Sequence, residues 1–323
     1  MCTAISYKTK CHYFGRNLDL EHRYRETVTI TPRNFPFHYR MDAVNSNHYA
    51  MIGMATVIEN YPLYYEATNE YGLSMAGLNF PGNAVYLPPK EAHNNITPFE
   101  FIPWILSQCK NVANARILLS KINIVNISFS DSLPLSPLHW MISDKDESIV
   151  VEQTENGISV FDNPVGVLTN NPRFDFQMYN LSNYLNLTKQ EPVNRFSSKI
   201  NLVPYSRGMG AIGLPGDLSS ASRFIKAAFT KLNSISDDSE NGSISQFFHI
   251  LDAVAQQRGC VEVNEAYEKT IYSCCCNTDK GIYYYTTYEN RQITGVNLFG
   301  AKLDTDALTT FPLIMEQQIY FQN

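Results

Sequence analysis

The first two residues, Met1 and Cys2, place a thiol at the start of the chain. Removal of Met1 would leave Cys2 with both a thiol and a free α-amine, and a small residue at this position permits that removal. The two groups titrate within about one pH unit of each other in ordinary peptides, so the amine can take the thiol proton. An adjacent base is a known way of activating a Ser, Thr or Cys nucleophile. Position alone favours an ordinary N-terminal cysteine, so the interpretation depends on the residues that follow.

Five short motifs follow Cys2 in order along the chain. They are 15–19 (GRNLD), 79–82 (NFPG), 168–172 (LTNNP), 213–217 (GLPGD) and 222–224 (SRF). Together with the N-terminal cysteine they resemble the choloylglycine hydrolase family of N-terminal-nucleophile (Ntn) amidases, over nearly the whole chain. That family contains bile salt hydrolases and penicillin V acylases, and the sequence is most similar to the bile salt hydrolases.

The resemblance implies a role for each polar residue of the first motif. Cys2 is the nucleophile and carries its own base, Asp19 accepts hydrogen bonds from the α-amine, and Arg16 lies near the sulfur. A guanidinium at that place favours the thiolate over the thiol. From spacing alone, Arg16 and Asp19 could equally form a surface ion pair.

Asn79 and Asn170 match the oxyanion site of the family, where amide N–H groups stabilise the negative charge that develops on the carbonyl oxygen. Each asparagine lies close to a proline, so a turn-forming role is the alternative for both. Arg223 matches a second active-site arginine, with an electrostatic or structural role. Penicillin V acylases tend to have Tyr where this chain has Asn79, which favours conjugated bile salts as the substrate.

A conjugated bile salt has a large apolar sterol and an amide to glycine or taurine. The resemblance therefore implies a binding wall of rings and aliphatic side chains on mobile loops. Each candidate for this wall could equally belong to the core. The candidates are Leu18, Leu20, Tyr24, Tyr61, Tyr65, Phe129, Leu133 and Leu135.

Composition limits the class of protein. Lys and Arg number 25 against 31 Asp and Glu, and the net charge of −6 argues against binding to a nucleic-acid backbone. The chain has no run of about 18 apolar residues and no basic-then-apolar leader, so we expect no membrane segment and a cytoplasmic location. The seven cysteines form no CxxC pair and no histidine pair has metal-ligand spacing, so we expect no metal.

Two further patterns suggest chemistry that we do not expect here. Residues 208–213 (GMGAIG) match the G-x-G-x-x-G dinucleotide fingerprint, but a poor strand precedes them and Pro215 follows. The fingerprint needs a strand before it and a helix after it, so the sequence predicts a loop and no cofactor. His139 could suggest a Cys–His hydrolase. A lone histidine before a strand is more often structural, and an N-terminal amine removes the need for a histidine base.

Periodicity gives the class of fold. β-favouring runs predict strands at 27–31, 49–54, 73–78, 139–142, 148–152, 157–161, 282–288 and 292–298. Apolar spacing predicts helices at 99–109, 112–122, 222–232 and 244–255. Since no linker or repeat divides the chain, we expect one α+β domain over 2–323 after removal of Met1. Helices in the middle of two strand sets fit an α-sheet-sheet-α sandwich. The resemblance independently implies the four-layer αββα fold of Ntn hydrolases, assembled as a homotetramer.

Three functions follow from these observations. The first is hydrolysis of glycine- or taurine-conjugated bile salts through Cys2. The second is the same chemistry on another acyl group, such as the phenoxyacetyl group of penicillin V or a fatty acyl chain. The third is a non-catalytic protein that binds bile salts or lipids on the same fold.

Overall fold

The computed structural model describes residues 1–323 and contains eighteen β-strands. Six of them lie within the first 80 residues, which the sequence predicts to be rich in strands. The strands are β1 (Cys2–Lys8), β2 (His12–Leu20), β3 (Thr27–Thr31), β4 (Met51–Ile58), β5 (Tyr61–Asn69), β6 (Ser74–Asn79), β7 (Asn94–Ile96), β8 (Ile122–Ile124), β9 (Leu138–Ser143), β10 (Ser148–Thr154), β11 (Gly157–Asp162), β12 (Val167–Leu168), β13 (Glu262–Val263), β14 (Ala266–Tyr267), β15 (Lys269–Asn277), β16 (Ile282–Thr287), β17 (Thr294–Asn297) and β18 (Thr309–Pro312).

Five α-helices interrupt the strands, and four of them confirm the helices predicted from apolar spacing, with shifted ends. The helices are α1 (Phe101–Leu106), α2 (Val112–Leu119), α3 (Phe174–Asn180), α4 (Ser220–Asn233) and α5 (Glu240–Asp252). The side chains of Ser219 and Ser239 accept hydrogen bonds from the first turns of α4 and α5, which fixes where these two helices begin. None of the helices has the length and apolar character that crossing a bilayer requires.

Most of the strands form two antiparallel sheets. The six-stranded sheet has the order β12-β1-β2-β15-β16-β17, and the eight-stranded sheet has the order β11-β10-β9-β6-β5-β4-β3-β18. In the first sheet β1 and β2 form a hairpin that pairs Cys2 with Leu18 at its open end and Lys8 with His12 near its turn. Cys2 therefore lies at the end of a central strand pair.

Alternation along the strands divides the buried residues between two cores. Met141 of β9 belongs to a core that also contains residues of the six-stranded sheet and of α4 and α5. Its neighbours Trp140 and Ile142 belong to a second core that contains α1 and α2, where Phe101 meets the Trp140 ring edge-to-face at 4.9 Å. The eight-stranded sheet thus packs on the other sheet with one face and on α1 and α2 with the other, whereas α4 and α5 pack on β1, β2 and β15.

The periodicity analysis does not identify strands β1, β2 and β5. Both faces of β2 are buried, and its buried residues include Arg16, Asn17 and Asp19, so the strand lacks the alternation of apolar and polar residues. Segment 61–65, which we expected in a mobile substrate loop, begins β5 instead. Its aromatic residues suit a half-buried strand. The prediction of a loop at this segment is therefore wrong.

His12 lies in a polar cluster near the turn of the β1–β2 hairpin, at the opposite end from Cys2. Its Nδ1 lies 2.9 Å from Thr278 Oγ1 and its Nε2 lies 2.8 Å from Ser6 Oγ. Burial lowers the pKa of His12 from 6.5 to about 4, although Asp279 and Asp144 oppose the shift. The folded chain therefore holds this imidazole neutral over a range in which the unfolded chain protonates it.

We expect acid to destabilise the fold through His12. Its contribution is fully present above pH 6.5 and is lost as the pH falls toward 4, because only the unfolded chain takes up the proton in that interval. The loss by pH 5 is about 2 kcal/mol. Urea unfolding of wild type and His12→Asn at about pH 7.5 and about pH 5 measures it. The variant should lose less stability than wild type on acidification, and an equal loss in both proteins contradicts the prediction.

Candidate active site

Cys2 is the first residue of β1 and is only 3 % exposed. Leu18 is its direct partner on β2, so the two side chains share a face of the sheet with Arg16, two residues earlier on β2. Arg16 reaches carbonyl groups of β5 and β6, which identifies this face as the one toward the eight-stranded sheet. The thiol and the guanidinium therefore lie on the same side, in the space between the two sheets.

Arg16 is completely buried. Its Nη1 donates to Gly77 O at 2.6 Å and to Tyr65 O at 3.1 Å, and its Nε lies 3.7 Å from Glu66 Oε2. The second terminal nitrogen, Nη2, is buried and has no hydrogen-bond partner. Burial lowers the pKa of Arg16, but the negative partner groups, led by Cys2, outweigh burial and raise that pKa above its ordinary value. The site thus holds a permanent positive charge next to the thiol.

Asp19 faces the opposite side of β2, toward the helices. Its Oδ1 accepts a hydrogen bond of 2.6 Å from Thr270 Oγ1, while its Oδ2 is buried without a hydrogen bond and lies 4.0 Å from Arg223 Nη1. Burial raises the pKa of the Asp19 carboxyl, against the opposing charges of Arg223 and the N-terminal amine. One carboxylate oxygen at this site is therefore available for another donor.

Met1 precedes β1 and pairs with the main chain of Asp19. Asp19 N donates to Met1 O at 2.9 Å, and the Met1 amine donates to Asp19 O at 2.8 Å and to the Glu268 carboxylate. The nitrogen of Cys2 is consequently a peptide N–H, which donates to Asn170 Oδ1 at 2.7 Å. The expected contact of a free Cys2 amine with the Asp19 side chain does not arise in this form of the chain.

Asn170 connects the surrounding elements. Its Oδ1 accepts from the Cys2 nitrogen and from Arg223 Nη2 at 2.8 Å, and its Nδ2 donates to Asn79 O at 2.7 Å. Its main-chain nitrogen donates to Ser220 Oγ at the beginning of α4. Asn79 ends β6 with an exposed side chain. A single amide thus joins β1, β6 and α4.

Arg223 lies in the first turn of α4 and is 1 % exposed. Its Nη1 donates to Cys2 O at 2.5 Å and to Thr3 Oγ1 at 2.7 Å, and its Nε donates to Leu218 O. Burial lowers the pKa of Arg223, opposed by Asp19 and Cys2. Arg223 therefore fixes the main chain of Cys2 from the helix side, whereas Arg16 approaches it from the side of the second sheet.

The structure brings together all six residues that the sequence analysis assigned to catalysis. Sequence patterns missed several residues that contact them, among them Thr3, Glu66 and Thr270, and also Glu268, which contacts the Met1 amine. Only Glu66 left a signal, since it is a lone carboxylate within the β-favouring run of β5. Such a buried charge requires partners. Its carboxylate accepts hydrogen bonds from two tyrosine hydroxyls of the other sheet, Tyr272 at 2.7 Å and Tyr283 at 2.6 Å.

The proposed substrate wall divides into two aromatic pairs and two pairs of leucines. Tyr65 OH and Tyr24 O both contact Thr56 Oγ1, at 2.9 Å and 3.0 Å, so Tyr65 and Tyr24 lie together beside the carbonyl that binds Arg16. Tyr61 and Phe129 lie together in an aromatic cluster, with ring centroids 5.9 Å apart. Leu18 is buried next to Cys2, and Leu20 packs against the same core.

Leu133 and Leu135 are half-buried and lie between β8 and β9, outside both helices and strands. Within the wall, Tyr24 is the most accessible residue, at 52 % exposed. No group of three or more His, Cys, Asp or Glu side chains in the chain is arranged to hold a metal ion. Segment 208–213 contains a short 3-10 turn, Met209–Ala211, in a loop, as predicted.

The sequence profile of the linear amide C–N hydrolases, choloylglycine hydrolase family, matches residues 2–311. The chain belongs to the choloylglycine hydrolase family. It is 56% identical to a bile salt hydrolase/transferase of Lactiplantibacillus plantarum, over 100% of both chains. It is 40% identical to a bile salt hydrolase/transferase of Clostridium perfringens, over 96% of both chains. The enzyme class of the family is therefore that of an amidase.

Solved structures give the same assignment. A crystal structure of a conjugated bile acid hydrolase variant from Clostridium perfringens superposes with a TM-score of 0.93 at 38% identity, over 100% of both chains. A penicillin V acylase from Agrobacterium tumefaciens shares the fold with a TM-score of 0.75, at 16% identity and over 96% and 91% of the two chains. The choloylglycine hydrolase fold thus spans the whole chain.

The burial of the seven thiols predicts which of them react. Burial raises the pKa of Cys109 and Cys276 to about 12 and raises the pKa of Cys274 and Cys275 well above its ordinary value, whereas Cys260 is exposed. Because the thiolate is the reactive form, we expect iodoacetamide to leave these four buried thiols unlabelled in the native protein. Peptide mass spectrometry before and after denaturation measures the labelling. Labelling of Cys274, Cys275 and Cys276 in the native protein at the rate of Cys260 contradicts this prediction.

Proposed function

We propose that the chain hydrolyses the amide bond between a bile acid and glycine or taurine, with Cys2 as the nucleophile after removal of Met1. Two atoms carry this proposal. Arg16 Nη2 and Asp19 Oδ2 are both buried without hydrogen-bond partners, on the two sides of the strand pair that begins with Cys2. Unpaired buried polar atoms are costly, and they are retained where a reacting group or a substrate completes the site.

Removal of Met1 converts the Cys2 nitrogen from an amide into an amine. Its existing acceptor, Asn170 Oδ1, already lies 2.7 Å away, and Asp19 Oδ2 provides a second acceptor on the helix side. These two oxygens orient the amine lone pair toward the thiol. The amine then takes the thiol proton, and the guanidinium of Arg16 stabilises the thiolate from the other side.

In the first half of the reaction the thiolate attacks the amide carbonyl and forms a C–S bond. The negative charge on the carbonyl oxygen is stabilised by the second N–H of Asn170 Nδ2 and by Asn79. The C–N bond then breaks, and glycine or taurine leaves with the proton that the amine received. In the second half, water attacks the thioester with the amine as base, and the bile acid leaves. An amine in place of water gives acyl transfer, the second activity in the names of both relatives.

The relatives support the choice of substrate. Both full-length relatives are named bile salt hydrolase/transferases, and the sequence has Asn79 where penicillin V acylases tend to have Tyr. The sterol would contact the wall that continues from Tyr65 and Tyr24. Its aromatic and aliphatic side chains suit a rigid apolar ring system.

We infer further that residues 2–323 form one domain with the four-layer αββα arrangement of the Ntn hydrolases, in which α4 and α5 are one outer layer and α1 and α2 the other. We infer a homotetramer, because the long segment between α3 and α4 exposes apolar side chains that a partner copy would cover. They are Leu185, Val193, Phe196, Val203, Tyr205 and Ile212. Seven free thiols support a cytoplasmic location.

We expect Cys2→Ala to lower kcat for glycocholate by more than about 10⁴-fold, because the attacking atom is lost. Cys260→Ala is the matched control, since Cys260 is an exposed cysteine. Release of glycine is measured on proteins shown by N-terminal sequencing to begin at residue 2. Turnover by Cys2→Ala above a trace, or an equal loss in Cys260→Ala, contradicts the assignment of the nucleophile.

We expect glycocholate and taurocholate to be hydrolysed much faster than penicillin V, with modest selectivity between the two conjugates. The reason is that the sterol carries most of the apolar surface, and it is common to both. The measurement is kcat/KM for the three substrates on the processed protein. A higher kcat/KM for penicillin V would leave the assignment of the nucleophile unchanged and would contradict the proposed substrate.

A further inference from the structure

His139 lies on β9, is fully buried, and has hydrogen-bond partners at both ring nitrogens. Nε2 lies 2.8 Å from Thr169 O, and Nδ1 lies 3.2 Å from Glu152 Oε1. The ring of Phe80 stacks on the imidazole at 4.2 Å with an interplanar angle of 6°. Sequence alone indicated a structural histidine, but the imidazole contacts the residues that adjoin Asn170 and Asn79.

His139 and Glu152 together hold both ends of the loop that carries Asn170. At the first end, Thr169 O binds His139. At the second end, the Phe174 N–H, in the first turn of α3, donates to Glu152 Oε1 at 2.9 Å. Because one carboxylate oxygen binds both the imidazole and the helix terminus, the path of the chain between residues 169 and 174 depends on that pair.

The segment that carries Asn79 is fixed by the same histidine. Leu78 is the direct partner of His139 across β6 and β9, and Phe80 stacks on its ring. The two segments also join each other directly, since Asn170 Nδ2 donates to Asn79 O and Asn171 Nδ2 donates to Pro81 O, both at 2.7 Å. The imidazole therefore contacts both sides of the place where the oxyanion would lie.

The hydrogen-bond partners of His139 and Glu152 determine which of their atoms carry a hydrogen. A carbonyl oxygen only accepts, so His139 Nε2 carries a hydrogen. The contact between Nδ1 and the carboxylate requires one more hydrogen between them, because an unprotonated nitrogen and a carboxylate both accept. Glu152 Oε1 also accepts from Phe174, and an amide at position 152 can keep both contacts only through its oxygen and without the negative charge of the carboxylate.

We propose that His139 and Glu152 are positioning residues that set the separation between Asn79 and Asn170 and so shape the oxyanion site. This inference rests on the proposed function, in which those two asparagines stabilise the charge on the carbonyl oxygen. Neither His139 nor Glu152 has a hydrogen bond to Cys2, Arg16, Asp19 or Arg223. Their loss therefore acts through the positions of Asn79 and Asn170, and it reaches Cys2 only through the contact of Asn170 Oδ1 with the Cys2 nitrogen.

The test compares His139→Asn and Glu152→Gln with the control His12→Asn. His12 is equally buried and also has a partner at each ring nitrogen, but it lies at the far end of the hairpin. Two quantities are measured on processed protein, kcat and KM for glycocholate and the rate of Cys2 alkylation by iodoacetamide. Alkylation needs the thiolate and no oxyanion site, so it reports whether the nucleophile and its surroundings remain folded.

We expect kcat to fall about 10- to 100-fold in both test variants, with KM close to wild type, since a misplaced donor acts in the transition state. The alkylation rate should fall less than kcat, because it depends on Asn170 only through the contact of its Oδ1 with the Cys2 nitrogen. The His12 variant should keep the wild-type kcat. A kcat for both test variants within twofold of the control overturns the proposal, and so does a parallel fall of kcat and alkylation. If wild type itself releases no glycine, the proposed function fails instead.

Discussion

The structure depends on the burial of several charges around one cysteine. Arg16, Asp19, Glu66 and Arg223 are all essentially inaccessible to water, and removing one partner of such a buried pair costs about 3–5 kcal/mol. The partners lie on several elements, namely β5 and β6 for Arg16, β15 for Asp19, β15 and β16 for Glu66, and the start of β1 for Arg223. The two sheets and α4 must therefore be in place together before the site exists.

Strand alternation divides these charges between two sides. Arg16 shares a face of β2 with Leu18, toward the eight-stranded sheet, while Asp19 takes the opposite face, toward α4. A positive charge thus approaches Cys2 from one side, and a carboxylate, an amide and a second guanidinium approach its main chain from the other. In the proposed mechanism, this separation lets Cys2 use its thiol on one side and, after removal of Met1, its amine on the other.

Part of this arrangement could be predicted from the sequence. The position of Cys2 and the motif at 15–19 led to the correct family. Apolar spacing gave four of the helices, because α2, α4 and α5 each bury one face and α1 is apolar and buried throughout. Strands β1 and β2 were missed because their buried polar residues hide the alternation. Glu66 was not assigned because its tyrosine partners lie 206 and 217 residues further along the chain. His139 and Glu152 were not assigned because their contact with each other and with the loop after Thr169 depends on the pairing of strands.

The measurement that tests the account most directly is the intact and peptide mass of the protein quenched in acid during turnover of glycocholate. If Cys2 forms a thioester, the N-terminal peptide carries the cholyl group, begins at residue 2, and loses the group on treatment with hydroxylamine. A turnover-dependent adduct on any other residue, or on a peptide that still begins with Met1, contradicts the account.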